Sequence, residues 1–109
     1  MAKNYYGEGE VVDVTAGGVA IASGAVVVIG ARLGIALADI PALETGSAAV
    51  TGVWTLKKAA ADVVAQGALL YWDPDDFQLT TVAAGNVPAG YAWKAAGAGT
   101  SIAHVKINA

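Results

Sequence analysis

The chain has 109 residues, a formal net charge of −3 and no cysteine. This length is enough for one domain with a modest core, and the lack of cysteine excludes disulfide bridges and thiolate metal sites. The six basic residues form no cluster. This argues against nucleic acid as a partner, because contacts to phosphates supply most of the affinity for nucleic acid.

The composition combines high hydrophobicity with small side chains. Hydrophobic residues make up 56% of the chain and charged residues only 14%, and the sequence contains 25 Ala and 14 Gly. Because small side chains bury little apolar area, the core gains less free energy than the hydrophobic fraction suggests. We therefore expect part of the surface to be buried against further copies of the chain or a larger assembly.

The first half of the chain predicts a flexible arm followed by short strands. Residues 1–9 are polar and contain two tyrosines, so we expect an N-terminal arm without order unless it docks. The single β-rich domain covers residues 10–109. Residues 14–31 carry no charge, but glycine pairs interrupt them and Val and Ile dominate, which favours strands over a membrane span. The predicted strands are residues 10–15, 19–22, 25–29, 33–38 and 48–56.

One short helix is predicted in the middle of the chain. Residues 57–66 are rich in Ala, contain neither Pro nor Gly, and precede Gly67, which suits the position after a helix. A helix of about ten residues is marginal alone, so it should pack on a sheet.

The second half predicts more strands separated by turns. Residues 73–76 combine three Asp with Pro74, a composition typical of a type I turn. In the last strand Ala103, Val105 and Ile107 share one face, and the intervening residues share the other. The predicted strands are residues 68–72, 77–82, 90–95 and 101–107. Short strands at this spacing predict a mainly β fold, a small barrel or sandwich.

A degenerate internal repeat relates residues 23–56 to residues 66–108. Each copy reads as a glycine turn, an apolar strand, a second strand led by glycine, and a third strand opened by Gly and Ser or Thr. The glycines and strand faces repeat, and no reactive side chain repeats with them. This pattern favours a structural or binding protein over a catalyst.

Candidate catalytic and ligand-binding residues form no recognisable motif. The single His104 has no nucleophile motif beside it, which favours a surface or interface role. Asp73, Asp75 and Asp76 lack the spacing of a calcium loop. Residues 97–101 resemble a phosphate loop only in their glycines, because the required Gly-Lys pair is missing and a strand follows. We therefore predict no enzyme activity, no cofactor and no metal.

Several short segments, in their order and spacing, carry a family resemblance over nearly the whole chain. They are Met1-Ala2-Lys3-Asn4-Tyr5, Gly9-Glu10-Val11, Val26-Val27-Val28, Leu33-Gly34-Ile35-Ala36, Gly52-Val53-Trp54-Thr55-Leu56-Lys57-Lys58-Ala59, Tyr71-Trp72-Asp73, Gly90-Tyr91-Ala92 and Val105-Lys106-Ile107-Asn108. Together they resemble the small tailed-phage capsid cement (decoration) family, formerly a domain of unknown function. Some members are labelled RecA-like recombinases, a label that the missing phosphate loop contradicts here.

The resemblance implies a structural protein that binds the outer surface of an assembled phage or prophage head and stabilises it. The implied partner is the major capsid protein, and the implied oligomer is a trimer at local threefold positions. The implied location is the virion surface, with assembly in the host cytoplasm. No nucleic acid and no membrane is expected as a partner.

Two sets of residues are candidates for the contacts of such a protein. The arm is the candidate for the capsid contact, through strand addition to an exposed sheet edge. Its candidate residues are Lys3, Asn4, Tyr5 and Tyr6. The candidates for the core or the subunit interface are Val26, Val28, Trp54, Tyr71, Trp72 and Trp93.

Two other classes of function remain open from the sequence. One is a small β-barrel that binds a ligand or carbohydrate, with Trp54, Trp72 or Trp93 as a stacking platform. The other is a hydrolase with an unfamiliar site built from His104 with Asp73 or Asp76.

Overall fold

A computed structural model describes residues 3–4 and 9–109 of the chain. The described residues form nine β-strands and no helix. The strands are β1 (Val11–Thr15), β2 (Val26–Ile29), β3 (Arg32–Ala36), β4 (Thr45–Ala49), β5 (Val53–Lys57), β6 (Leu69–Asp73), β7 (Gln78–Thr80), β8 (Val87–Ala92) and β9 (Ile102–Ile107). The prediction of a mainly β protein is confirmed.

The strands form two antiparallel sheets. The first has the order β1-β4-β3-β2, and the second has the order β5-β9-β8-β6-β7. A single parallel bridge between Lys58 and Leu79 brings the chain after β5 next to β7. This bridge does not extend into a ladder, so the second sheet keeps two edges. Of the two predicted architectures, a small barrel or a sandwich, the barrel is wrong.

The two sheets share one connection scheme. In the first sheet β1 pairs with β4, β4 with β3, and β3 with β2. In the second sheet β5 pairs with β9, β9 with β8, and β8 with β6, while β7 is an additional strand beside β6. The turns leading into the second strands also match, because Gly24 donates to the carbonyl of Ala36 and Gly67 to the carbonyl of Ala92, each at 2.8 Å. Matching isolated bridges are Ile21–Ile40 and Val64–Ala96. This agreement supports the internal repeat, which remains a prediction.

The predicted helix over residues 57–66 is wrong. The segment begins as the end of β5 and continues as an irregular connection whose N–H groups bond to distant carbonyls. Lys58 donates to Ser101 at 2.8 Å and Ala59 to Leu79 at 2.9 Å. Tertiary hydrogen bonds thus replace the local ladder that helix propensity favoured, because propensity differences between residues are only a few tenths of a kcal/mol.

Two strand predictions also change. Residues 19–22 contribute only the bridge between Ile21 and Ile40. Residues 48–56 divide into β4 and β5, with Gly52 between them at a φ of 108°. A residue other than glycine rarely adopts this conformation, so the glycine allows the chain to leave the first sheet and enter the second.

The main core lies between the two sheets. Leu33 and Ile35 of β3 are fully buried in the same cluster as Leu70, Trp72 and Ile107 from the second sheet. A smaller cluster of Ala16, Ala36 and Ile40 lies on part of the other face of the first sheet. The first sheet therefore packs against the second sheet on one face and against its own connections on part of the other.

Candidate interaction surface

The outer face of the second sheet presents a row of four side chains across four strands. Register pairs Val53 with Lys106, Lys106 with Tyr91, and Tyr91 with Leu69, and we call these four residues the outer row. Leu69 is 64% exposed and Val53 is 41% exposed, while Tyr91 and Lys106 are half-buried. Residues directly opposite each other on one sheet face are in reach of contact, so the row forms a continuous apolar stripe with one cation.

An aromatic pair extends the outer row. Tyr91 and Trp93 stack with their ring centroids 6.2 Å apart, and Trp93 is 45% exposed. Backbone bonds hold Trp93 in place: its N–H donates to the carbonyl of His104 at 2.9 Å, and its carbonyl accepts from the Gln66 amide at 3.3 Å. A depression of about 340 Å³ beside the pair is lined by Gln66, Gly67, Tyr91, Ala92 and Trp93. Rigid aromatic groups of this kind are typical anchors of protein interfaces.

The β5 and β9 part of this face is basic although the chain is acidic overall. Lys57 and Lys106 lie on it, and the β5 and β9 positions that share it include no carboxylate. Those positions are Val53, Thr55, Lys57, Ile102, His104 and Lys106. On β6, Asp73 shares the outer face with Leu69, so the basic region is confined to β5 and β9. Such a face suits a partner that presents apolar side chains together with carboxylates.

The comparison with protein families decides the class of this protein. A family model described as phage cement protein matches residues 6–107 of the chain. The chain belongs to this family. No curated protein and no solved structure matches the chain. The resemblance found in the sequence is confirmed, and it supports a structural role at a phage capsid.

The tryptophans and valines predicted for the core or interface have different environments. Trp72 is buried, while Val26 and Trp54 are half-buried and pack against the main cluster. Tyr71 is also half-buried. Val28 and Trp93 are exposed. Of the six candidates, Trp93 and Tyr71 lie beside the outer row, because Trp93 stacks on Tyr91 and Tyr71 follows Leu69 by two residues on the same face of β6.

The predicted capsid-binding arm is described in part. Lys3 and Asn4 lie exposed in a turn, and Tyr5 and Tyr6 lie outside the described residues. The chain beyond them leads into β1, which is an edge strand because it pairs with β4 alone.

Sequence reasoning missed Leu69, Tyr91 and Lys106 as surface residues of one row. The alternation in β9 does place Lys106 on the face opposite its buried neighbours Val105 and Ile107, so the sequence was sufficient to predict that this residue lies on the outer face. Nothing in the sequence marks Leu69 and Tyr91 as surface residues, because an apolar side chain in a strand is compatible with burial and the strand pairing is not visible in the sequence.

The polar groups of the proposed hydrolase site are not brought together by a hydrogen bond within residues 9–109. The Asp73 carboxylate accepts from the N–H groups of Asp75 and Asp76 at 3.0 and 3.3 Å, which fixes the β6–β7 turn. In the described part of the chain, no group of three His, Asp or Glu side chains could hold a metal ion. No helix among the described residues is long and apolar enough to cross a membrane.

Proposed function

We propose that this protein is a capsid cement protein that binds the outer surface of an assembled phage or prophage head and stabilises it. Its partner is the major capsid protein. The observation that carries the proposal is the match of residues 6–107 to a family described as phage cement protein. The outer face of the second sheet supports it, because its exposed apolar and aromatic side chains offer a ready surface for protein contacts.

The proposed mechanism is passive. A protein that binds the assembled shell and not the free subunits shifts the assembly equilibrium by mass action, about 2.7 kcal/mol per site at a concentration 100 times the Kd. Many copies on a symmetric shell multiply a modest contribution from each site. This action needs no catalytic group, so we propose that the protein is not an enzyme.

The proposed capsid contact is the N-terminal arm with Lys3, Asn4, Tyr5 and Tyr6. The arm leads into β1, an edge strand, so an added strand can continue the first sheet. The proposed oligomer is a trimer at local threefold positions. The protein would assemble in the host cytoplasm and remain on the virion surface.

The direct test uses expanded heads assembled from the major capsid protein of the same phage. The protein is mixed with heads or with unassembled capsid protein, and co-sedimentation and the thermal transition of the heads are measured. Binding to heads alone, with a higher transition temperature, is the expected result. Equal binding to the unassembled protein, or none to heads, would reject the proposal.

A second candidate function is a ligand- or carbohydrate-binding module. The stacked Tyr91–Trp93 pair beside the depression at Gln66 favours it, because sugars stack on exposed aromatic rings. Glycan-array binding that disappears in Trp93→Ala would support it. The absence of any binding at millimolar sugar would reject it.

A further inference from the structure

The outer row has a counterpart in the first sheet. The connection scheme is the same in both sheets, so strands β1, β4, β3 and β2 correspond to β5, β9, β8 and β6. The register in the first sheet pairs Val11 with Ala49, Ala49 with Ile35, and Ile35 with Val26. We call these four residues the inner row. The two rows occupy the same position on the same strands of two similar sheets.

The two rows differ in what covers them. Ile35 is 1% exposed and Ala49 is 7% exposed, because the second sheet packs over the centre of the inner row. Residues 3–4 and 9–109 include nothing that covers the outer row in the same way, since Leu69 remains 64% exposed. Within the described residues, this face is therefore buried in the first sheet and open in the second.

We propose that the outer row is the contact surface for a second copy of this chain, which covers it as the second sheet covers the inner row. Repeated units commonly bury their apolar faces by stacking on the next unit. The described residues form two such units, and we assign the next unit to a second copy of the chain. This contact is head-to-tail, and it closes into a ring if the rotation between copies allows it.

The first sheet of the second copy offers a groove for this contact. A groove of about 520 Å³ is lined by Gly9, Val11, Val12, Ile29 and Val50, together with Arg32 and Asn108. Strand by strand, Val12, Ile29 and Val50 are the counterparts of Trp54, Trp72 and Ile107.

These counterparts explain why the groove is open. Trp72 and Ile107 belong to the cluster that covers the inner row, and Trp54 packs against that cluster. Val12 takes the place of Trp54, and Val50 takes the place of Ile107. These smaller side chains leave a depression in the first sheet where larger side chains occupy the space in the second sheet. The half-buried Tyr91 and exposed Leu69 supply apolar volume for such a depression.

Charge supports the same orientation. Glu10 is exposed and precedes Val11 and Val12, two residues that line the groove, whereas Asp13 lies on the face of β1 opposite Val12. The outer row carries Lys106. Glu10 on the β1 side of the groove therefore complements this cation. Arg32 lies on the other side of the groove, so the complementarity is confined to β1.

This inference deepens the proposed function, because it rests on the self-association assumed there and names the surfaces. It is tested without capsid, by sedimentation of the full chain from about 1 µM to 1 mM, a range that covers weak to moderate affinities. We expect a concentration-dependent mass above that of one chain. Leu69→Arg on the outer row and Val12→Arg in the groove should each raise the Kd at least about tenfold.

Mixing the two variants distinguishes a head-to-tail contact from a symmetric one. Leu69→Arg keeps an intact groove and Val12→Arg keeps an intact outer row, so a mixture should form a 1:1 pair that neither variant forms alone. The control is Val63→Arg, a substitution at a side chain that is 71% exposed outside both surfaces, and it should associate like the wild type. Circular dichroism verifies folding, and Leu69→Ala and Val12→Ala replace any arginine variant that fails to fold.

Three results would overturn the inference. They are a wild-type chain that stays monomeric over the whole range, a Val12 variant that associates like the wild type, and a mixture that forms no pair. Capsid binding is measured separately. If heads bind the Leu69→Arg variant with the same affinity as the wild type, the proposed function stands. That result would also show that these surfaces serve only self-association. A wild-type protein that self-associates but does not bind heads would reject the proposed function alone.

Discussion

The side-chain amide of Asn108 pairs with both backbone groups of Leu33, which lies 75 residues earlier in the chain. Its Oδ1 accepts from the Leu33 N–H at 2.9 Å, and its Nδ2 donates to the Leu33 carbonyl at 2.7 Å. The same Nδ2 donates to the carbonyl of Val50 at 2.8 Å. Asn108 follows the strand β9 of the second sheet, so its side chain connects this sheet to β3 and to the β4–β5 connection.

Asn108→Asp should lower the free energy of unfolding by about 1–3 kcal/mol, because it keeps the size and the acceptor but removes both donated hydrogen bonds and places a charge beside two carbonyls. Urea denaturation measures the loss. Asn86→Asp is the control, since the Asn86 amide donates only to Val82 at an exposed site, and it should change stability by less than about 0.5 kcal/mol. Equal effects of the two substitutions would show that Asn108 does not join the sheets.

Gly90→Ala should prevent folding or cost more than about 4 kcal/mol. A Cβ at Gly90 would lie 1.9 Å from the Lys106 carbonyl oxygen, and the φ of 140° already requires glycine. Strands β8 and β9 would have to separate at their Gly90–Ile107 pair. The readouts are soluble yield and thermal melting.

Gly97→Ala is the matched control for this substitution. A Cβ there meets nothing within 4 Å, and its φ is outside the left-handed region. We expect near wild-type melting. A Gly90→Ala protein that melts like this control would contradict the packing of β8 against β9.

Lys58→Met should destabilise the protein by about 1–3 kcal/mol. Lys58 is 1% exposed, and its Nζ donates to the carbonyls of Ala59 at 2.8 Å and Asp62 at 2.7 Å. Methionine has a similar length but leaves both carbonyls without this donor. Lys57→Met, at the exposed neighbouring position, should be nearly neutral in the same denaturant titration. If Lys58→Met were more stable than the wild type, the free energy cost of desolvating the buried ammonium group would exceed the stabilisation from its two hydrogen bonds.

Replacing Tyr5 and Tyr6 together by Ala should weaken binding to expanded heads at least about tenfold, because truncation of interface aromatics commonly costs more than 1 kcal/mol. The thermal stability of the free protein should not change. Phe77→Ala, at an aromatic side chain that is 69% exposed on the β6–β7 turn, is the control and should bind heads like the wild type. Full head binding by the tyrosine variant would remove the arm from the proposed contact.

Local pattern was sufficient for the features that depend on neighbouring residues. The alternation in β9 predicted that Ala103, Val105 and Ile107 share one face, and the structure shows that this face is buried, because all three are at most 2% exposed. The composition of residues 73–76 predicted the turn that the Asp73 carboxylate fixes. The order of short motifs was enough to indicate the family, and the mainly β class followed from Val, Ile and glycine turns.

Features that depend on distant residues were decided by the tertiary structure. Residues 57–66 have the composition of a helix, but hydrogen bonds from Lys58 and Ala59 to Ser101 and Leu79 outweigh a small local preference. Trp72 and Trp93 both lie in apolar strand-like sequence, yet one is buried and the other is 45% exposed. Ile35 and Tyr91 hold equivalent positions and differ in burial, because only one of the two sheets has another sheet packed against that face.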